Sequence, residues 1–295
     1  MKVGIVKVVG DVSEAIIKAV NLVGGLNLGE GARVVIKPNI CYSKNPYGMV
    51  LTDLRVLEAV IRLIKTVTSN IVVVESDNIS GDAERRIKDA GVSDLVRSLD
   101  VDFFNLSKDD YETFSFSGIE IRLPKTVLEA DYFINLPKMK TEGHVLVTLS
   151  MKNLFGVLQR KNKSVLHKYL DDLIPFLAQK IRNDLIIVDG IVAMEGNGPL
   201  IGTPKKLDLI IAGTNPVSVD SVCCRMMGVD PEEVKYIINA EKSSIGESGL
   251  KNIELVGDIE AFRSYNFEKP YSLRASIKSI KSLSKIYLKN DKFRR

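Results

Sequence analysis

Residues 131–156, DYFINLPKMKTEGHVLVTLSMKNLFG, hold Lys138, Lys140, Thr141, His144, Lys152 and Asn153 within one short span. Leu, Val, Met and Phe interleave with these groups, whereas a solvated run of charge lacks them, so the cations are expected to be enclosed. Lysines so placed act as point charges for a carboxylate or phosphate group. His144 is one of two histidines in the chain. Cationic neighbours keep an imidazole neutral, the form that accepts a proton or binds a metal, which makes His144 the expected acid–base group. Lys152 has apolar neighbours on nearly every side and joins it in the catalytic set. His167 falls one turn after Lys163 on a predicted helix and reads as a surface residue.

The acidic counterpart is Asp189, Glu195 and Asp220. Carboxylates near strand ends hold divalent cations or act as bases. Asp189 is therefore assigned to catalysis, and Glu195 with Asp220 to a metal ion. A competing reading pairs Asp220 with Lys152 or Arg225 as a contact that only holds the fold. Between them, Gly196, Asn197 and Gly198 form a compact loop whose glycines allow a ligand to approach backbone N–H groups. A plain turn is the alternative. This loop is neither a Walker loop nor a dinucleotide fingerprint, because it precedes a strand and no G-K-[ST] follows.

These groups need a scaffold, and the pattern of the chain supplies one. Short apolar, β-branched runs at 3–9, 33–37, 71–74, 132–134, 185–188, 207–212 and 253–256 read as strands. Helical periodicity separates most of them, over about 12–23, 54–64 and 165–181, with Pro175 a kink in the last. Another helix is expected after Asn215-Pro216. Residues 190–204, GIVAMEGNGPLIGTP, read as a Gly-rich loop. Strands alternating with helices predict an α/β fold, a mostly parallel sheet flanked by helices. Lys37, Asn39, Glu75, Asn135, Lys138 and Asp189 all stand where the chain leaves a strand. In such sheets ligands bind beyond the carboxyl ends of the strands, so a shared site is expected there, with Lys37 and Asn39 among its binding groups.

A net charge of +4 is too mild to suggest nucleic acid. No run reaches membrane-spanning length, and a cytoplasmic protein is expected. The three cysteines, Cys41, Cys223 and Cys224, give neither a disulfide framework nor a metal motif. Residues 1–266 read as one domain. Residues 267–295 read as a basic amphipathic helix, with Leu273, Ile277, Ile280, Leu283 and Tyr287 opposite Arg274, Lys278, Lys281, Lys285 and Lys289. Such a helix docks on its own domain, on a partner or on an anionic membrane surface.

LPKMKTEGHVLVTLSMKNLFG, VDGIVAMEGNGPLIG, the 215–220 segment and VVIKPNI together resemble domain-of-unknown-function family 362, over about 3–256. Many members carry an added ferredoxin-like cysteine cluster and bear an iron–sulfur description. That cluster is missing here, so an iron–sulfur centre held by this chain alone is not expected. The residues point to an enzyme for a small anionic substrate, with a divalent metal as a possible helper. A redox or cofactor-carrying protein using Cys41, and a non-catalytic regulatory or membrane-peripheral binder, are the alternatives. The sequence carries no signal for oligomeric state.

Overall fold

In the computed structural model, residues 1–277 are described. Twelve strands follow one another along them: β1 (Lys2–Lys7), β2 (Val34–Pro38), β3 (Ile71–Glu75), β4 (Asp102–Asn105), β5 (Tyr111–Phe116), β6 (Ile119–Pro124), β7 (Tyr132–Leu136), β8 (Lys138–Glu142), β9 (Leu146–Thr148), β10 (Leu185–Glu195), β11 (Thr203–Gly213) and β12 (Glu254–Gly257). The main sheet runs β12-β1-β11-β10-β7-β2-β3-β4, with β8 and β9 branching from β10, while β5 and β6 make a separate hairpin. Pairings of β2 with β3 and β7, β3 with β4, β10 with β7 and β8, and β1 with β12 are parallel. The fold is α/β with a mostly parallel sheet.

Apolar strand residues divide between two cores by parity. Val34, Ile36, Val73 and Ile134 pack with helices Val12–Leu22 and Leu54–Ile64 on one face. Val35, Val74 and Phe133 pack with helices Leu170–Lys180 and Pro216–Met227 on the other. A period-2 strand covered on both faces has no polar side, which is why β2 reads as VVIKP. Caps fix where the helices begin. Asp11, Asp53 and Asn215 each accept a backbone N–H at a helix N-terminus, from Ser13, Arg55 and Ser218.

Several elements depart from the sequence expectation. The Gly-rich stretch is a long antiparallel hairpin, because β10 continues to Glu195 and pairs with β11 through a bulge at 190–192. Gly190 serves close approach there, since a Cβ would lie 3.1 Å from the Leu209 carbonyl. Residues 138–142, outside the strands expected from the sequence, form β8. The chain breaks at Pro137 and resumes beside β10, pairing Lys138 with Asp189 and Lys140 with Met194. The helix expected over 165–181 begins as 3₁₀ turns, Ser164–Tyr169, before α-helix Leu170–Lys180. Residues 267–272 are not helical, and a helical turn covers 273–277. Ile280, Leu283, Tyr287, Lys278, Lys281, Lys285 and Lys289 lie outside the described residues.

Asp220 ties the two halves of the candidate region together. Its carboxylate accepts from Ser150 N at 2.8 Å, Ser150 Oγ at 2.5 Å and Met151 N at 3.0 Å. These donors open the short helix Ser150–Asn153, which carries Lys152 and Asn153. Asp220→Ala leaves two buried N–H groups without an acceptor, and at about 1–3 kcal/mol each the variant should lose about 2–6 kcal/mol in urea unfolding. A loss below about 1 kcal/mol would show that this anchor is dispensable.

Candidate functional site

Beyond the carboxyl ends of β2 and β3 lies a cavity of about 220 Å³. Five lysines line it, Lys37, Lys140, Lys152, Lys161 and Lys163, against one carboxylate, Glu75. Asn39, Cys41, Asn153, Phe155 and His167 complete the polar and aromatic part of the wall, and Pro199 with Leu200 close it from the β10–β11 hairpin. The sequence-predicted Lys37, Asn39, Lys140, Lys152 and Asn153 are thus brought together.

Each buried cation is held differently. Lys37 donates to Glu75 Oε2 at 3.0 Å and to the Pro38 carbonyl at 2.8 Å. Gly156 admits this pair, since a Cβ there would sit 2.9 Å from Lys37 Nζ. Glu75 also accepts from Ile40 N and Ser76 N, and Arg86 stands 4.0 Å away. Lys140 donates to Asn39 Oδ1 at 2.8 Å and the Val50 carbonyl at 2.9 Å, with Cys41 Sγ at 3.5 Å. From Lys140 a one-way chain of amide bonds runs inward. Asn39 donates to Asn153 at 2.9 Å, Asn153 to Asn135 at 2.8 Å, and Asn135 to Asn183 at 2.9 Å. Asn183 ends it on the Ile181 carbonyl at 3.1 Å. Every bond polarises the next in the same sense, so the chain disperses the Lys140 charge. Burial still holds Lys140 below the ordinary lysine range.

Lys152 is half-buried and has no hydrogen bond or ion pair among the described residues. Its ammonium lies 4.6 Å from the centre of the Phe155 ring. Burial lowers its pKa, opposed by the field of Glu142. Lys163 is buried, donating to Ser76 Oγ at 2.8 Å and the Asp77 carbonyl at 2.5 Å. Burial, helped by Arg86 and Lys37 and opposed by Glu75, pushes it down to about 7.

His144 stands outside the cavity lining. Its Nδ1 lies 2.7 Å from Glu142 Oε1, and its ring meets that of His167 edge-on at 4.3 Å. His167, expected at the surface, lines the cavity instead, and burial together with His144 and Lys152 lowers its pKa. Glu142 is buried, and Lys152 and His144 outweigh that burial to keep its carboxyl below the usual range.

The remaining predicted residues are occupied elsewhere. Lys138 and Asp189 form a fully buried pair at 2.8 Å. Asp189 also accepts from Asp53 N and Ile191 N, so its oxygens join β8, β10 and helix Leu54–Ile64. Asp220 is fully buried on Ser150 and Met151, and burial raises its carboxyl to about 7. Glu195 binds Lys205 at 2.8 Å and accepts from Glu268 N. Thr141 donates to the Gly196 carbonyl at 2.7 Å, and a Cβ on Gly198 would strike the Thr141 carbonyl. Asn197 accepts from Tyr271 N at 2.7 Å. These contacts lock the hairpin tip to β8 and to the segment after Phe267. Among the described residues no three His, Cys, Asp or Glu side chains group as metal ligands. Cys223 and Cys224 are buried thiols whose pKa values burial pushes up.

Reasoning from sequence did not find Lys163, Arg86, Glu142 or the position of His167. Lys163 depends on residues 158–164 crossing over Ser76 and Asp77, a contact no local periodicity encodes. Its depressed pKa has a measurable consequence. Between about 7 and the ordinary 10.5 the unfolded chain binds the proton that folded Lys163 releases. Stability should therefore rise with pH through that window, and the penalty should be at full size below it. Denaturant titrations should show Lys163→Met flattening the rise; a profile parallel to the wild type would contradict the assignment.

No described helix is long and apolar enough to cross a membrane. The Thylakoid-associated protein sll1697 of Synechocystis sp. is 30% identical over 228 residues, 75% of this chain and 71% of that protein. A crystal structure of a Thermotoga maritima protein is similar at a TM-score of 0.38 and 13% identity, over 79% of this chain. This chain spans 59% of that structure's length. Residues 34–225, which include every residue lining the cavity, match the model of the family described as Domain of unknown function (DUF362), and the chain belongs to that family.

Proposed function

We propose that this protein is an enzyme that binds a small carboxylate or phosphate at the ends of β2 and β3 and moves a proton there. The observation that carries the reading is the charge of the wall: Lys37 is paired with Glu75 and Lys161 with Asp82, whereas Lys140 and Lys152 line the cavity with no ion pair among the described residues. Enclosed positive charge of this kind is stabilised when an anion enters. Lys140, held by its amide chain, and Lys152 supply the binding charge. His144 acts through His167, with Glu142 fixing the His144 ring, so that the pair forms a path for a proton between the cavity and the half-exposed His144 edge. Phosphate or malonate at millimolar concentration should raise the melting temperature, and Lys152→Met should remove most of that rise. No shift with either anion would sink the reading.

A second reading concerns attachment rather than chemistry. Leu273 and Ile277 are 79% and 49% exposed on the turn of helix that begins at 273, and the sequence beyond them is basic. Together with the thylakoid association of the relative, this supports peripheral contact with an anionic bilayer. The full chain should co-sediment with phosphatidylglycerol vesicles at low salt and lose at least half of that binding when Leu273 and Ile277 are both changed to Asp. Equal sedimentation of the two proteins would refute it.

A further inference from the structure

Lys163 differs from the other cations of the cavity in what surrounds it. Its two acceptors are neutral, the Ser76 hydroxyl and the Asp77 carbonyl. The direction of the first bond is fixed, because Ser76 Oγ gives its own hydrogen to the Gly156 carbonyl at 2.5 Å. A neutral primary amine has two N–H bonds and a lone pair. Ser76 and Asp77 take both hydrogens, which leaves the lone pair free.

Two carboxylates are near enough to favour its charged form, Glu75 and Asp77, and both are already committed: Asp77 Oδ1 accepts from Ala83 N and Asn105 Nδ2. Glu75 contacts Lys37 at 3.0 Å and Arg86 at 4.0 Å, and neither its salt bridges nor its hydrogen bonds reach Lys163. Lys163 is 7% exposed and has two fixed cations for neighbours. Desolvation and adjacent positive charge are the conditions under which a lysine is an amine at neutral pH and attacks a carbonyl carbon. The same wall offers ammonium groups for a carboxylate, and His167 lies four residues on, lining the same cavity.

We propose that Lys163 captures the carbonyl group of its substrate as an imine, and that the substrate class is a small carboxylate bearing a ketone or aldehyde, of which 2-oxo acids are the simplest. This rests on the anion-binding reading of the same cavity and narrows it. The Lys163 Nζ lone pair forms a bond to the carbonyl carbon while the C=O π pair moves onto oxygen, which takes up the proton that nitrogen gives up. The nitrogen pair then forms C=N as the hydroxyl leaves with a second proton, as water. One amine and one carbonyl give one imine and one water, with no change of oxidation state. Lys140 and Lys152 hold the carboxylate, and His167 supplies and recovers the proton of the dehydration step.

The test is reductive trapping. The full chain is incubated with pyruvate and cyanoborohydride at neutral pH, and adducts are located by intact mass and peptide mapping. One reduced adduct per chain is expected, on Lys163, suppressed by excess phosphate and lost in Lys163→Arg. If Lys163→Arg does not fold, suppression by phosphate in the wild type makes the same distinction. Adducts spread over surface lysines at the rate seen in urea-unfolded chain, or no adduct at all, overturn the proposal. If phosphate still raises the melting temperature in that case, only the role of Lys163 falls. If it does not, the anion-binding reading falls with it.

Discussion

An ammonium group taken out of water must be given acceptors or lose its proton, and this fold meets that constraint several times within one region. Lys138 is matched to Asp189, and Lys37 to Glu75. Lys140 has no carboxylate partner among the described residues and instead leans on a relay of four carboxamides running back to Asn183. Lys163 has two neutral acceptors, and Lys152 has the face of Phe155 and the field of Glu142. The first two solutions neutralise charge and hold strands together. Lys140 and Lys152 leave positive potential unspent, and it collects around one cavity.

The architecture explains why the potential collects there. Parallel β2, β3 and β7 end in register, so Lys37, Glu75 and Asn135 leave the sheet side by side. The break at Pro137 lets the chain resume as β8 along β10, which brings Lys138 over Asp189 and sends Lys140 towards Asn39. Asp220, reaching from helix Pro216–Met227, fixes the start of the short helix that carries Lys152 and Asn153. Elements far apart in sequence thus each contribute one rigid constraint, and the cavity wall is what they share.

Much of this was legible in the sequence, and what was not has a physical cause. Continuous apolar strands interleaved with helical periodicity gave the α/β class; polar residues at strand exits pointed to Lys37 and Asn39, and the cationic cluster of 131–156 to Lys140, Lys152 and Asn153. The hairpin of β10 and β11 was hidden because its glycines resemble a loop, while Gly190 serves a bulge that only the paired strand makes necessary. Asp189 looked like a site carboxylate because the strand was expected to end at 188, whereas β10 runs on to Glu195 and holds Asp189 within it. Nothing local reveals that Lys138 and two backbone N–H groups use its oxygens. His167 read as surface because it falls one turn after Lys163 on an expected helix, and its contact with His144 and the cavity arises from the irregular turns that replace that helix. Lys163 is invisible because its chemistry comes from the crossing of residues 158–164 over the end of β3, and Arg86 because it folds back from helix Ala83–Asp89 onto the Ser76 and Gly81 carbonyls.

We propose that the lysine-lined cavity is built for an anion. Anomalous difference density from a crystal soaked in selenate tests it most directly. A peak is expected inside the cavity, within hydrogen-bonding distance of Lys152 Nζ. Peaks confined to the outer surface, with the cavity holding only water at a saturating soak, would contradict it.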